Sequence, residues 1–578
     1  MMNSSASENV LPTLRPANEV MDLARLGRQF PTRLSFMRVL IRNMCQQQWH
    51  IEREFFELDA RGAGCSVYRI DAPARSYRMV LFAEDLDPAR RSDRVIADAW
   101  DVTGALCFGP VDAKRRKFLS ENVPRQEAGR LDSDCIVLTR ANRSSRQFAR
   151  VVDALAAGRQ PSLAEILEVG YLLRTTAVYG SGKFGMSDWA SVRENHPDLS
   201  RPFAAEMLAC FMLRQFSFDQ VEWLAQIARP ESACNLDPGI KRGLGIGNAT
   251  GLGMAPFLVR HPLLIGRWIL QRERALAIVL ADTAPGADRV RTVLAVLKRA
   301  AIHLDQVRIG DPEQTQVNRE TRNALIELRD WLAVQGDLPD WHGVTRHAQR
   351  TGNLESRQVL ESALIEAYGD RVDHLADDMV VDETYPLLST MRGADLFKLI
   401  EDHYGWALRL DFEQPDSQAF FWYRSEEKME PRLGRRGVDP GEDREMQIGI
   451  ALEIVKCHRA LRRMLDSSPE ISTAEFVLRH PECRYIVRRM QTLAEMPFGE
   501  IQANLLDATM RPIDLLRCKL AFMGVTKFDP RSSLWVRNTM FQGAPLIEDL
   551  HPDTSDDWSF PILHEGETPS EPCFAVCA

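Results

Sequence analysis

The sequence predicts a mainly α protein: a large multi-helix body with a small N-terminal antiparallel β-containing (α+β) subdomain. Two patterns carry that prediction. From about residue 144 onward, nearly every long segment places its apolar residues three and four apart, the spacing that gives a helix one buried stripe. Between about 64 and 142 the chain instead offers short runs rich in β-branched and aromatic residues, separated by Gly and Pro. With 45% hydrophobic and 26% charged residues over 578 positions, the chain has ordinary globular composition and enough length for several cores.

The first twenty residues are polar and carry Pro12 and Pro16, without the basic start and apolar stretch of a secretory signal. Residues 34–58 read as a helix on the spacing of Phe36, Val39, Leu40, Met44, Phe55 and Phe56, stopped before Gly62-Ala63-Gly64. Residues 65–70 and 77–82 read as strands around a turn at Pro73, and 94–108 as one or two more broken at Gly104. Residues 135–138 then close the small sheet. Helices are expected at 148–157, 163–178, 203–227, 255–280, 290–304, 323–334 and 382–412. Residues 414–444 hold too many charges, prolines and glycines for one element. Helical spacing returns at 446–465, with shorter helices near 473–480, 484–495, 498–507 and 512–523. The last fifty residues, rich in Asp, Pro and Ser, read as an irregular wrap or tail, and no repeat of fixed period appears. The corresponding division is a flexible segment at 1–30, the α+β subdomain at 31–143, a helical domain at 144–412, a charged loop with C-terminal helices at 413–530, and a tail at 531–578.

Composition excludes some functions. A net charge of −9 lacks the basic excess of a non-specific nucleic-acid binder, so no nucleic acid is expected as partner. No run of eighteen apolar residues is free of charge, so no membrane span is expected either. Eleven cysteines without a CxxC pair read as reduced thiols in a cytoplasmic protein. Paired histidines at zinc spacing and a GxSxG elbow are absent from the sequence. A kinase-like reading fails because no lysine precedes Lys114, leaving no strand lysine for the nucleotide phosphates.

Three segments carry candidate chemistry. The run Gly243-Leu-Gly245-Ile-Gly247-Asn248-Ala-Thr250-Gly251-Leu-Gly253 precedes Pro256 and a helical pattern, which predicts a loop aiming backbone N–H groups at an anion. It is not a strict dinucleotide fingerprint, since Thr250 stands where the third glycine belongs. Close backbone approach of two helices could also require these glycines, but Asn248 and Thr250 place polar side chains where simple packing would prefer alanine, which favours the site. The second segment, Arg174 to Gly185, places Lys183 in a Gly-Ser-Gly-Lys turn; Ala177 and Phe184 depart from the phosphate loop of nucleotide-hydrolysing enzymes. Only ten of the 72 basic residues are lysines, so a lysine there stands out as a compact cation. Third, Phe420-Phe421-Trp422-Tyr423 anchors a charged loop in which Tyr423, Glu426 and Lys428 are candidate acid–base groups and Arg424 and Arg432 candidate anion clamps.

An acidic run offers a weaker metal hypothesis through Asp377, Asp378 and Asp382, whose spacing resembles the aspartate-rich Mg²⁺–diphosphate motif of terpene synthases. No second metal motif accompanies it. The expected function is an enzyme, of lyase, isomerase or transferase type, acting on an anionic small molecule held by Arg174, Lys183, Gly247, Asn248, Thr250, Gly251 and Gly253. The cofactor stays open, and a homo-oligomer is compatible with the sequence. The alternatives are a helical interaction or assembly protein and, third, a Mg²⁺-dependent enzyme on diphosphates.

Overall fold

The computed structural model describes residues 13–87, 99–175, 189–251, 262–335, 340–379, 387–412, 422–425, 431–433, 445–447, 451–494, 496, 498, 512–532, 535–555 and 558–563. Its centre is a nine-stranded sheet in the order β1-β2-β3-β4-β5-β6-β7-β12-β11. The strands are β1 (His50–Leu58), β2 (Gly64–Asp71), β3 (Ser76–Ala83), β4 (Val102–Phe108), β5 (Cys135–Arg143), β6 (Tyr171–Thr175), β7 (Gly245–Gly251), β11 (Asp529–Pro530) and β12 (Trp535–Met540). A separate three-stranded sheet, β10-β8-β9, joins β8 (Trp422–Ser425), β9 (Pro431–Leu433) and β10 (Glu445–Gln447).

This sheet corrects the prediction of a small N-terminal β subdomain. Helices dominate, but the sheet recruits β6 and β7 from the domain read as helical with glycine loops, β11 from the C-terminal helical region and β12 from the segment read as an irregular tail, so the fold is mixed α/β. Three local reasons explain the difference. The helix predicted at 34–58 stops at Gln46, and His50–Leu58 becomes β1, because its partner β2 supplies a full antiparallel ladder from Asp71 to Gly64. The helix predicted at 163–178 ends at Val169, where Gly170 adopts the left-handed conformation (φ 78°) that terminates helices. β6 follows at once. The glycine run read as a loop is strand β7 from Gly245 to Gly251, paired on both edges.

β1 to β6 form an antiparallel meander, whereas β6 and β7 run parallel. A parallel pair needs a long crossover. Here it contains the 25-residue helix Ala204–Ala228, buried around its circumference and packed on β4, β5, β6 and β7. At its middle Arg214, 1% exposed, donates to the carbonyls of Leu244, Lys241, Pro545 and Ala544 at 2.8–3.2 Å. Burial pulls its pKa down to about 9, and the four carbonyls supply the hydrogen bonds that water would otherwise make.

The N-terminal segment is tied to the helical layer by buried ion pairs. Arg15 and Arg25 both bond Glu273 and Glu361, and Arg272 joins them 2.9 Å from Glu361. Arg33 bonds Asp373 at 2.8 Å and Arg38 bonds Glu366 at 2.9 Å. These contacts dock residues 15–42 on the helices Pro262–Leu280 and Leu354–Glu366 and on Asp373, at the start of the turn Asp373–Met379. The main core draws on residues from Val20 to Met379 and again from Phe498 to Leu563. A second core, from Leu396 to Leu493, lies between those stretches in the chain and is built by the helices Gly393–Leu408, Ala451–Ser467, Thr473–Arg479 and Arg484–Leu493.

Candidate functional site

Strand register places one cluster of sequence-selected residues. Arg174 of β6 pairs with Gly247 of β7 across the parallel ladder and with Asn142 of β5 on its other side. Because side chains alternate along a strand, Arg140, two residues before Asn142, lies on the same sheet face as Arg174. Arg537 of β12 pairs with Ala249, two residues beyond Gly247, and shares that face as well. Arg140, Arg174 and Arg537, on β5, β6 and β12, thus share the sheet face on which the Tyr171 ring covers Gly247. Arg140 lies 4.2 Å from the ring centre of Trp100, while Arg537 donates to Asp529 at 2.8 Å and to the Glu168 carbonyl at 3.1 Å. Since β6 and β7 are parallel, the chain leaves Thr175 and Gly251 at the same end of the sheet.

The glycines of β7 have a packing explanation. A Cβ on Gly245 would stand 2.1 Å from the Met540 carbonyl oxygen, one on Gly247 would stand 2.6 Å from the Tyr171 ring, and one on Gly243 would stand 1.7 Å from Leu563 Cδ2. Two neighbouring strands and the Leu563 side chain approach the backbone more closely than any added side chain permits. Asn248 is 1% exposed and lies opposite Asn538 in the antiparallel ladder, and Thr250 lies opposite Val536. Gly251 pairs with Trp535. Gly253 and Lys183 fall outside the described residues.

Of the aromatic–charged candidates, Tyr423 and Arg432 are direct cross-strand partners in the small sheet, and Arg424 pairs with Pro431. Glu426 and Lys428 fall outside the described residues. The acidic run is already engaged: Arg201 bonds Asp377, and Arg274 lies 3.6 Å from Asp378. Asp382 is outside the described residues. Among the described residues no group of three or more His, Cys, Asp or Glu side chains is arranged to hold a metal ion, and no helix is long and apolar enough to cross a membrane.

The sequence reading missed a polar pocket lined by Phe30, His303, Asn318, Glu355, Arg517 and Lys527, among others. Arg517 bonds Glu355 and lies 4.6 Å from the Phe30 ring centre and 5.0 Å from that of Phe528. Gln314 bridges Glu355 and Asn318 at 3.2 and 2.9 Å. Lys527 donates to the Leu167 and Glu168 carbonyls, at the C-terminal end of the helix Leu163–Val169, where a cation is favoured. Burial still brings its pKa down to about 8. Burial lowers His303 to about 4; its Nδ1 faces the Pro561 carbonyl at 2.8 Å and therefore carries the proton. The space suits about one water molecule, too little for a substrate. The available sequence signal was Lys527 itself, one of ten lysines, in the apolar context Gly524-Val525-Thr526-Lys527-Phe528.

No family model, curated protein or solved structure matches this chain.

Proposed function

We propose that the protein is an enzyme acting on an anionic small molecule, a carboxylate or phosphate ester, by acid–base chemistry of lyase, isomerase or transferase type. One observation carries the reading: β6 and β7 are parallel neighbours, so their carboxyl ends, Thr175 and Gly251, lie at the same end of the sheet. Ligands of open α/β sheets bind beyond the carboxyl ends of parallel strands. Arg174 and Arg140 give that end of the sheet two cations on one face, which suits an anion. In this reading Arg174 and Lys183 hold the anion, and Asn248, Thr250 and Gly251 border it. The proton-transfer group comes from Tyr423, Glu426 or Lys428.

A thermal-shift panel of phosphate esters, nucleotides, coenzyme A thioesters and small carboxylates tests the reading. A ligand at a hundred times its Kd adds about 2.7 kcal/mol of stability. Stabilisation of the parent chain that is lost in Arg174→Ala is expected; a flat panel overturns the proposal. A second reading, an assembly protein, is favoured by Leu478 (83% exposed) and Tyr485 (45% exposed) on the inserted helical unit. Light scattering after size-exclusion chromatography separates the two, since assembly without ligand response supports only the second.

A further inference from the structure

β4 and β5 carry two cysteines at one register position. The ladder pairs Leu106 with Val137 and then Cys107 with Cys135, so β5 holds one extra residue, Ile136, and the bulge sets the two cysteines directly opposite each other. The next backbone bond runs from the Phe108 amide to the Asp134 carbonyl at 2.8 Å. Cys107 and Cys135 are therefore a non-hydrogen-bonded pair, the position where cross-strand side chains come closest. Their sulfurs stand 3.4 Å apart. The α-carbon separation of about 4.5 Å at such a position lies inside the range that a disulfide spans.

The pair is buried, at 0 and 1% exposure, yet its cover is slight. It belongs to a small core with Val67, Val80, Leu119 and Leu138, separate from the main one. Leu119 enters that core from the helix Ala113–Asn122, and it is the only one of the helix's ten residues that is buried. An element with so few buried apolar contacts opens without global unfolding. Cys210 and Cys518, in contrast, are buried within the main core. While the helix is closed, the hydrogen bond with Cys107 and burial push Cys135 up and keep it a thiol.

We propose that Cys107 and Cys135 form an oxidisable dithiol, a modification site that hydrogen peroxide reaches when the helix Ala113–Asn122 lifts. Solvent then takes the proton of one thiol, and the thiolate sulfur attacks a peroxide oxygen. The O–O bond breaks, a sulfenic acid forms and hydroxide leaves to be protonated to water. The second sulfur attacks the sulfenic sulfur, the S–O bond breaks, and the departing hydroxide takes up the second thiol's proton. Two thiols and one peroxide thus become one disulfide and two waters, the sulfurs losing the two electrons that the peroxide gains.

The test is a time course of the full chain with hydrogen peroxide, stopped by alkylation and read by peptide mass spectrometry, for the parent and for Leu119→Ala. A Cys107–Cys135 cross-link is expected in the parent while Cys210 and Cys518 stay reduced, which shows that the chain is still folded. In Leu119→Ala, which loosens the helix, the cross-link should form about tenfold or more faster. Cys107→Ala removes the resolving sulfur and should accumulate a sulfenic acid on Cys135, trapped with dimedone. A parent chain in which Cys107 and Cys135 stay reduced until Cys210 and Cys518 oxidise, or a Leu119→Ala chain that closes at the parental rate, overturns the proposal.

Discussion

Gly243→Ala, alone and with Leu563→Ala, tests whether the glycine run serves packing. The added methyl at Gly243 would stand 1.7 Å from Leu563 Cδ2, against an ordinary carbon–carbon contact of about 3.5–4.0 Å. Leu563 is 4% exposed and must move by about 2 Å or force the backbone apart. Overpacking of this kind costs about 1–3 kcal/mol, offset by up to about 1 kcal/mol because alanine is the better helix former at the last position of Pro238–Gly243. Leu563→Ala alone opens a cavity and costs about 2–5 kcal/mol. In the double variant the new methyl enters that cavity, so the two penalties should fall short of their sum by about 1–2 kcal/mol. Urea unfolding of the four chains measures the difference directly. Penalties that add to within about 0.5 kcal/mol would refute the packing argument. Gly245→Ala sharpens the contrast, because its obstacle is the Met540 carbonyl in the β7–β12 ladder, and a backbone atom has no rotamer to escape into. It should be the most destabilising glycine substitution of the run. If instead it unfolds like the parent chain but loses a ligand-induced thermal shift, the glycine serves a ligand.

Other outcomes follow from the buried charges. Glu361→Ala leaves Arg15, Arg25 and Arg272 around Glu273 alone and should cost about 3–5 kcal/mol in urea unfolding, and a loss under about 1 kcal/mol would mean the segment 15–42 is held by apolar contacts instead. His303 titrates near 4 when folded and near 6.5 when unfolded, so the unfolded chain binds more protons across that window and stability rises with pH there by about 3 kcal/mol. Below pH 4 both states are protonated and the full penalty applies; His303→Gln should remove this part of the acid sensitivity, seen as the difference between the two pH–stability curves. Lys527, folded near 8 against 10.5 unfolded, has the same sign, so stability should gain with pH between those values, and Lys527→Met should abolish the gain. Arg174→Ala should weaken any anion that stabilises the parent chain by about 1.5–3 kcal/mol, read by calorimetric titration, while a variant that binds as well as the parent would move the anion elsewhere.

The residues that spoke plainly in the sequence were those whose local chemistry decided their structure. Residues 203–227 announced the central helix because their apolar positions are dense enough to bury every side, and the helix runs from Ala204 to Ala228. The alternating runs of β2 and β3 were legible because their turn holds Pro73 and their ladder is local. β6, β7 and β12 were not legible, because long-range pairing made them strands. Tyr171–Thr175 continues an apolar helical pattern, and only Gly170 in its left-handed conformation marks the break. Gly245–Gly251 is too rich in glycine for much β propensity of its own; it is a strand because β6 and β12 pair with it on both edges, with Met540 and Tyr171 leaving no room for a Cβ at Gly245 and Gly247.

The same cause limits what the sequence says of the site. Arg174 and Gly247 lie 73 positions apart, and their adjacency is a property of the crossover through Ala204–Ala228. That crossover gives Arg174 its relevance, since it sets the strand that carries Arg174 beside the glycine run of β7. It also separates two claims that the sequence had fused. The glycines inside β7 answer to Tyr171, Met540 and Leu563, so they are evidence about packing, whereas the anion reading now rests on Arg140, Arg174 and the direction of two strands. Substituting the glycines therefore tests the fold, and substituting the arginines tests the function.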